Sequence, residues 1–530
     1  MKKIKCPVIC VVLAVVLTAV SCASLTRSHT AHYAQESMMV QQGRVAEVAQ
    51  KLDTKAREGG LNGVLHALQA GYYYLFMQDY DRAEELFKMA ENQIEMYEER
   101  AIISATDLED TAKAILASDM ELPYKGEMFE KIMLNTMLTL NYLFKGDLEG
   151  ANVEVRRAEI RQKEAEDKHQ EELKKIEEQK EKEKLDEENL NSIYDQYNVL
   201  DDYAAKVINS FQNGFTYYLG GLVYELNNKY DEAYKDYYKS FSLYKNKYTL
   251  EKLVELSQVL QNPEDYEKWT GMYRDLFAGE TPPRLHTDDP NGEIVVIYFA
   301  GHIPQKKEAK FMLGPLDPLP FSKKNRVKVD TEPLKEAILG KKKEKKEAES
   351  EKKSHNRPTY VAFPFYDRHS FPTGKEFLEI KSADEFLGRT EVVLDFVPIA
   401  VKALKEQLPG IAVRQMLRRI AKRETEKTAD KIVKGGGNWV ALFNAVTERA
   451  DLRGWYELPG NIQVFRTKVQ PGPVTVTLNE ISDYGEGNKD NIDLEIRDNG
   501  TAFVLVQQLS TERVIHSIVL EQPRFVYSAK

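Results

Sequence analysis

The chain has 530 residues, 42% of them hydrophobic and 30% charged, with a formal net charge of −10. That length supports two or three cores, and the acidic balance excludes a general nucleic-acid binder. With three cysteines and nine histidines, none in HxH or HExxH spacing, neither a disulfide framework nor a common zinc signature is present.

The first element is a leader. Lys2, Lys3 and Lys5 precede an apolar run from Pro7 to Val20, the length of a signal-peptide core and short for a membrane span. It ends in Ala19-Val20-Ser21-Cys22, small residues before a cysteine, as a lipoprotein signal peptidase requires. Cleavage there removes Cys6 and Cys10 and leaves Cys22 as the first residue of the mature chain, carrying the lipid. Residues 22–57 are then an anchored N-terminal segment and helix. Three acyl chains exceed the two signals that stable anchoring needs. Ala23, rather than Asp, follows the cysteine, which by the enterobacterial sorting rule points to the outer membrane, facing the periplasm.

Residues 58–280 read as a helical array. Three segments fit a 34-residue helix-turn-helix pattern. Gly71, Tyr74, Tyr80, Ala83, Phe87 and Ala90 take the small, aromatic, aromatic, small, large and small positions of the first. Leu138, Tyr142, Leu148, Ala151, Val155 and Ala158 follow in the second, and Gly221, Tyr224, Tyr230, Ala233, Tyr237 and Ser240 in the third. Small residues let two helices approach, and the aromatics at the turns are expected to plug the gap between them. The pattern resembles tetratricopeptide repeats, which implies a concave groove for a protein or peptide. Residues 156–190, rich in Glu and Lys without Pro or Gly, read as a long solvated helix extending the second motif.

From residue 288 to 530 the pattern is mixed α and β. Strands are expected at Glu293–Ala300, Thr359–Phe365, Ile462–Thr467, Val474–Ile481, Ile492–Ile496, Ala502–Gln507 and Val514–Leu520. Asp498-Asn499-Gly500 predicts a hairpin. Residues 340–357, with seven Lys and four Glu between Lys341 and Lys353, read as a disordered insert. Helices are expected from Pro398 to Lys434, broken or kinked at Pro409-Gly410, and from Asn438 to Arg453. Gly454 would stop the second, and Trp455 and Leu458 would pack it on the sheet. The fold class is therefore α+β and multidomain, an all-α repeat array followed by a mixed α/β domain.

The stretch Glu448–Leu478 carries Ala450, Asp451, Arg453, Trp455, Leu458, Pro459, Ile462, Arg466, Pro471 and Gly472. On these residues, the Cys22 motif and the repeats, the chain resembles an uncharacterised family of bacterial lipoproteins with tetratricopeptide-like repeats. The resemblance spans most of the chain and departs from the family in the long charged helix and the lysine-rich insert. It implies an envelope protein whose genes lie near lipoproteins related to penicillin-binding-protein activators and curli secretion channels. Taken as residues alone, Asp451, Arg453 and Arg466 suggest a structural ion-pair network or a site for a partner's carboxylate or phosphate, and Pro471-Gly472 a turn.

No G-x-S-x-G elbow occurs, and the mature chain has no free thiol nucleophile. His66, His302 and His369 lie on a helix and in loops without a recognisable catalytic setting. The expectation is a non-enzymatic adaptor of cell-envelope biogenesis or secretion. It would need no cofactor or metal, would be held to the membrane by lipid, and would bind an envelope protein or peptide through its repeats. A self-assembling structural component and an envelope hydrolase are the alternatives.

Overall fold

A computed structural model describes residues 29–104, 119–183, 191, 193–283, 292–313, 359–372, 374–432, 449–509 and 512–521. Residues 1–28, where the leader and Cys22 anchor are expected, and the lysine-rich stretch 340–357 lie outside the described residues.

The helical half begins with a pair, α1 (His29–Gln41) and α2 (Val45–Glu58). The first repeat is α3 (Gly63–Phe76) and α4 (Tyr80–Ser104); the second is α5 (Met128–Phe144) and α6 (Leu148–Glu183). A short α7 (Asp201–Ala204) leads to the third repeat, α8 (Gly214–Leu226) and α9 (Tyr230–Leu243). A fourth pair, α10 (Lys247–Val259) and α11 (Pro263–Leu276), follows without a break. Each repeat turn holds one residue at positive φ in the same place: Gln78 (63°), Gly146 (76°), Asn228 (57°) and Gln261 (55°). That left-handed residue ends the first helix and turns the chain into the second.

Close approach explains the small positions. A Cβ on Gly71 would stand 2.6 Å from the Phe87 ring, and one on Gly221 would stand 2.9 Å from the Tyr237 ring. Ala83, Ala90, Ala151, Ala158 and Ala233 are fully buried between paired helices, as are Phe87 and Tyr237; Tyr74, Tyr142 and Tyr224 are buried beside them. In the second repeat the residue three before the tyrosine is Thr139 rather than Leu138, and both are buried. Of the turn aromatics, half-buried Tyr80 acts between repeats, stacking on Phe144 with ring centres 6.3 Å apart, whereas half-buried Tyr230 bonds Asn228 of its own turn.

Among the described residues the C-terminal half forms three sheets. Five strands lie in the order β11-β10-β1-β7-β6: Glu512–Glu521, Gly500–Leu509, Gly292–Ala300, Asn461–Val469 and Glu391–Asp395. Only β1 and β10 among these neighbours run parallel. Four antiparallel strands form the order β5-β4-β8-β9: Glu385–Arg389, Glu376–Ser382, Gly472–Ser482 and Gly485–Ile496. A pair, β2 (Lys306–Leu313) and β3 (Thr359–Tyr366), stands apart. One long helix, α12 (Phe396–Ile432), leaves β6.

Alternation on β1 gives the layer order. Phe299 meets Phe215 of α8, so Val295, Ile297 and Phe299 face the helices. Tyr298 on the opposite face reaches Glu376 of β4. The five-stranded sheet is thus covered by repeats on one side and by the smaller sheet on the other. One apolar cluster runs through all three layers.

Several expectations are corrected. Residues 449–455 are not helical, so Gly454 terminates no helix. Pro409 lies inside α12 without breaking it. Asn499, at φ 55°, does turn the chain, but β9 and β10 belong to different sheets, so no hairpin forms there. Pro471-Gly472 makes a similar corner between β7 and β8, with Gly472 at φ 130° and Pro471 exposed. A turn residue sets a change of direction; pairing depends on which apolar face each strand must bury.

Candidate functional site

The first helices of the repeats are apolar nearly all round. Every residue of α8 is buried, as is every residue of α5 after Met128 and every residue of α3 except His66. A helix of this kind must be covered on both faces. One face meets the second helix of its repeat; the other meets the chain's own C-terminal half, at the sheet, at α12 or at the loop of Trp455. The surface expected to form an open groove is therefore filled from within the molecule. Phe215 meets Phe299, Phe129 meets Phe396, and Tyr248 meets Phe465.

The residues singled out in the C-terminal stretch make this joint. Trp455 is 1% exposed and lies edge-on to Tyr72 at 6.3 Å and against Phe87 at 6.0 Å. It packs a loop onto repeat helices rather than a helix onto a sheet. Its backbone N donates to Glu130 at 2.7 Å, and the Tyr124 hydroxyl donates to the same carboxyl at 2.5 Å. Burial, with Glu127 nearby, pushes the Glu130 pKa up. Burial also opposes charge on Glu127, but Lys306 at 2.6 Å outweighs it and holds that carboxyl below its usual range. Leu458 and Pro459 are buried, and the Leu458 carbonyl accepts from Ile303 N at 3.0 Å.

Asp451, Arg453 and Arg466 do not form one network. Arg453 pairs with Asp451 at 2.7 Å and donates to the carbonyls of Asp119 (2.9 Å) and Leu122 (3.0 Å) and to Asn62 Oδ1 (3.1 Å). This ties the start of α3 to the segment before α5. Arg466, on β7, bonds Glu293 at 2.6 and 2.7 Å, Glu225 at 3.0 Å and the Tyr237 hydroxyl at 2.8 Å. Lys252 joins Glu225 to Glu255, each at 2.6 Å, and Lys468 adds 3.2 Å to Glu255. Burial works against charge on Glu255, yet these cations bring its pKa down to about 2. Both clusters spend their donors on this chain, as structural ion pairs do.

Sequence reasoning missed a cavity of about 290 Å³ beside this joint. Helices α1 and α3, the loop Gly301–Gln305, the start of β4, the end of β10 and the turn after Trp455 enclose it. Its walls include Tyr33, Tyr73, His302, Glu376 and Glu457. Glu457 is 1% exposed; its Oε1 accepts from Gln69 at 2.9 Å and Tyr73 at 3.3 Å, while its Oε2 has no hydrogen-bond partner. Burial, with Glu36 nearby, raises its pKa to about 8. The signal in sequence was a glutamate between Tyr456 and Leu458, in a stretch otherwise apolar. His369 lies on an exposed turn and is not part of this lining. Among the described residues no group of three or more His, Cys, Asp or Glu could hold a metal, and no helix is long and apolar enough to cross a membrane.

No protein-family profile matches the chain, and no curated protein matches it. Among solved structures, the crystal structure of PilW, described as a widely conserved type IV pilus biogenesis factor, is similar at 12% identity, over 46% of this chain and 92% of that one, with a TM-score of 0.20. A likeness of that size carries no argument about function.

Proposed function

We propose that the chain is a bacterial lipoprotein, anchored by lipid at Cys22 to the outer membrane and facing the periplasm. In this reading it belongs with the tetratricopeptide-bearing lipoproteins it resembles, and it acts as a docking adaptor in envelope biogenesis or secretion without chemistry of its own. One observation carries the choice of surface. The inner face of the repeats is occupied, whereas α6 runs 36 residues beside an α5 of 17, about 54 Å against about 26 Å. Beyond His169 its described side chains Glu171, Leu173, Lys174, Lys175 and Glu178 are exposed. A partner of the envelope then docks on this arm and the outer helices, not in a groove.

Crosslinking and pull-down of the full-length protein from its native membranes tests this, beside Cys22→Ala and a Lys174→Glu, Lys175→Glu variant. A defined envelope protein captured by the wild type and lost with the charge-reversed arm, at unchanged melting temperature, is the expected result. Recovery of the chain alone would replace the adaptor with a self-assembling component.

A further inference from the structure

The cavity beside Trp455 has a composition that selects its ligand. Two carboxyl side chains, Glu457 and Glu376, line it, and no lysine or arginine does. Lys51 and Lys55 of α2 are held by Glu36, at 3.2 and 3.6 Å, and do not enter the lining. His302 also lines it, as a solvent-exposed side chain of the Gly301–Gln305 loop. Glu376 already accepts from the Tyr298 hydroxyl. Glu457 is half satisfied: two donors meet Oε1 and none meets Oε2.

A buried carboxyl oxygen without a donor destabilises the empty cavity, and a ligand bearing N–H groups removes that penalty. A bare metal ion does not fit: His302 shares the lining, but among the described residues no three carboxyl or imidazole groups converge as a metal site needs. The volume suits a small organic molecule, being several times the roughly 30 Å³ share of one water. Tyr33 and Tyr73 add aromatic walls, the surroundings in which organic cations are held.

We propose that this cavity is a binding site for a primary ammonium group, with Glu457 as its anion, Glu376 as a second acceptor and Tyr33 and Tyr73 as its walls. The ammonium is borne either by a free amine or by a lipid headgroup. The site is independent of the adaptor reading and stands whether or not a protein docks on α6.

Binding couples to protons. The ionisable groups around Glu457 are Glu36 and Tyr33 from α1, Tyr72 and Tyr73 from α3, Tyr456 beside it, and in the shared lining Glu376 of β4 and His302 of the Gly301–Gln305 loop; none is a lysine or arginine. With its pKa near 8, Glu457 holds a proton at pH 7 in the empty cavity. An arriving ammonium favours the carboxylate, so the proton leaves to solvent.

The test is titration calorimetry of the full-length chain in detergent at pH 7, with 1,5-diaminopentane and with dihexanoyl phosphatidylethanolamine as probes. One site is expected, with an enthalpy that changes between phosphate and Tris buffer in proportion to the proton released. Glu457→Gln should weaken binding at least tenfold and remove the buffer dependence. Glu376→Gln, at a half-buried position, should weaken binding while the buffer dependence stays. Binding of the diamine alone assigns a free amine; binding of the lipid alone assigns the headgroup. Failure of both probes overturns the proposal, and so does undiminished affinity in Glu457→Gln with native circular dichroism.

Discussion

Trp455 shows how a single side chain can serve two halves of a chain. Its indole fills the space between Tyr72, Phe87 and the turn that enters β7. Trp455→Ala should cost about 3–5 kcal/mol, the range for an emptied core aromatic. Urea unfolding would check this, and a loss below 1 kcal/mol would mean the joint closes without it. His516, on β11, touches Tyr80 and Phe144, and burial lowers its pKa to about 4. The unfolded chain takes up that proton near pH 6.5, so this contribution is complete above pH 6.5 and falls away towards pH 4. The gap corresponds to about 3 kcal/mol. His516→Gln should flatten the fall in stability between those pH values, seen in urea midpoints at pH 7 and pH 4.5. Glu457 works in the opposite direction: its raised pKa penalises the fold above pH 4.5 up to about 8, and acid relieves it. Glu457→Gln should therefore raise stability at pH 8 and leave it unchanged at pH 4. The charged members of the motif were legible as ion pairs from residue type alone. Which carboxylate each arginine meets was not: Glu225 and Glu293 lie 241 and 173 residues from Arg466.

Among elements, the repeats were the most legible part, because close helix contact demands glycine and alanine at fixed intervals. The fourth pair escaped for the same reason. Counted from its left-handed Gln261, it has Val254 where the first repeat has Gly71, Tyr266 and Tyr273 where that repeat has Ala83 and Ala90, and Thr270 in place of Phe87. Large and small have exchanged sides, so the helices still fit while the pattern disappears. Gly71→Ala tests the close approach: with Phe87 only 2.6 Å from the new carbon, about 1–3 kcal/mol should be lost. Phe87→Leu in the same chain should recover part of it, and additive losses in the double variant would refute the contact. The strands β4, β5 and β6 gave little signal because one or both faces of each are polar or half-exposed. By contrast, the all-round apolar character of α3, α5 and α8 was visible in the sequence. It is the mark of helices covered on both sides, and it argues against an open groove.

At the scale of the whole molecule, the two halves share one core and should unfold together. A chain ending at residue 283 would expose the sheet-facing sides of α3, α5 and α8. It should aggregate, or lose fixed tertiary structure, in circular dichroism and size exclusion. A soluble, cooperatively melting fragment would show that the array stands alone. In the intact protein a single transition is expected whether followed by tyrosine and tryptophan fluorescence or by helical ellipticity. Contact between Tyr80 and His516 also sets a schedule. The two residues are 436 apart, so at 5–20 residues per second the first repeat waits roughly 20–90 s for the strand that covers it. During that interval an apolar helix surface has no partner in its own chain. Until the C-terminal strands have joined them, the repeats should therefore need a holding chaperone.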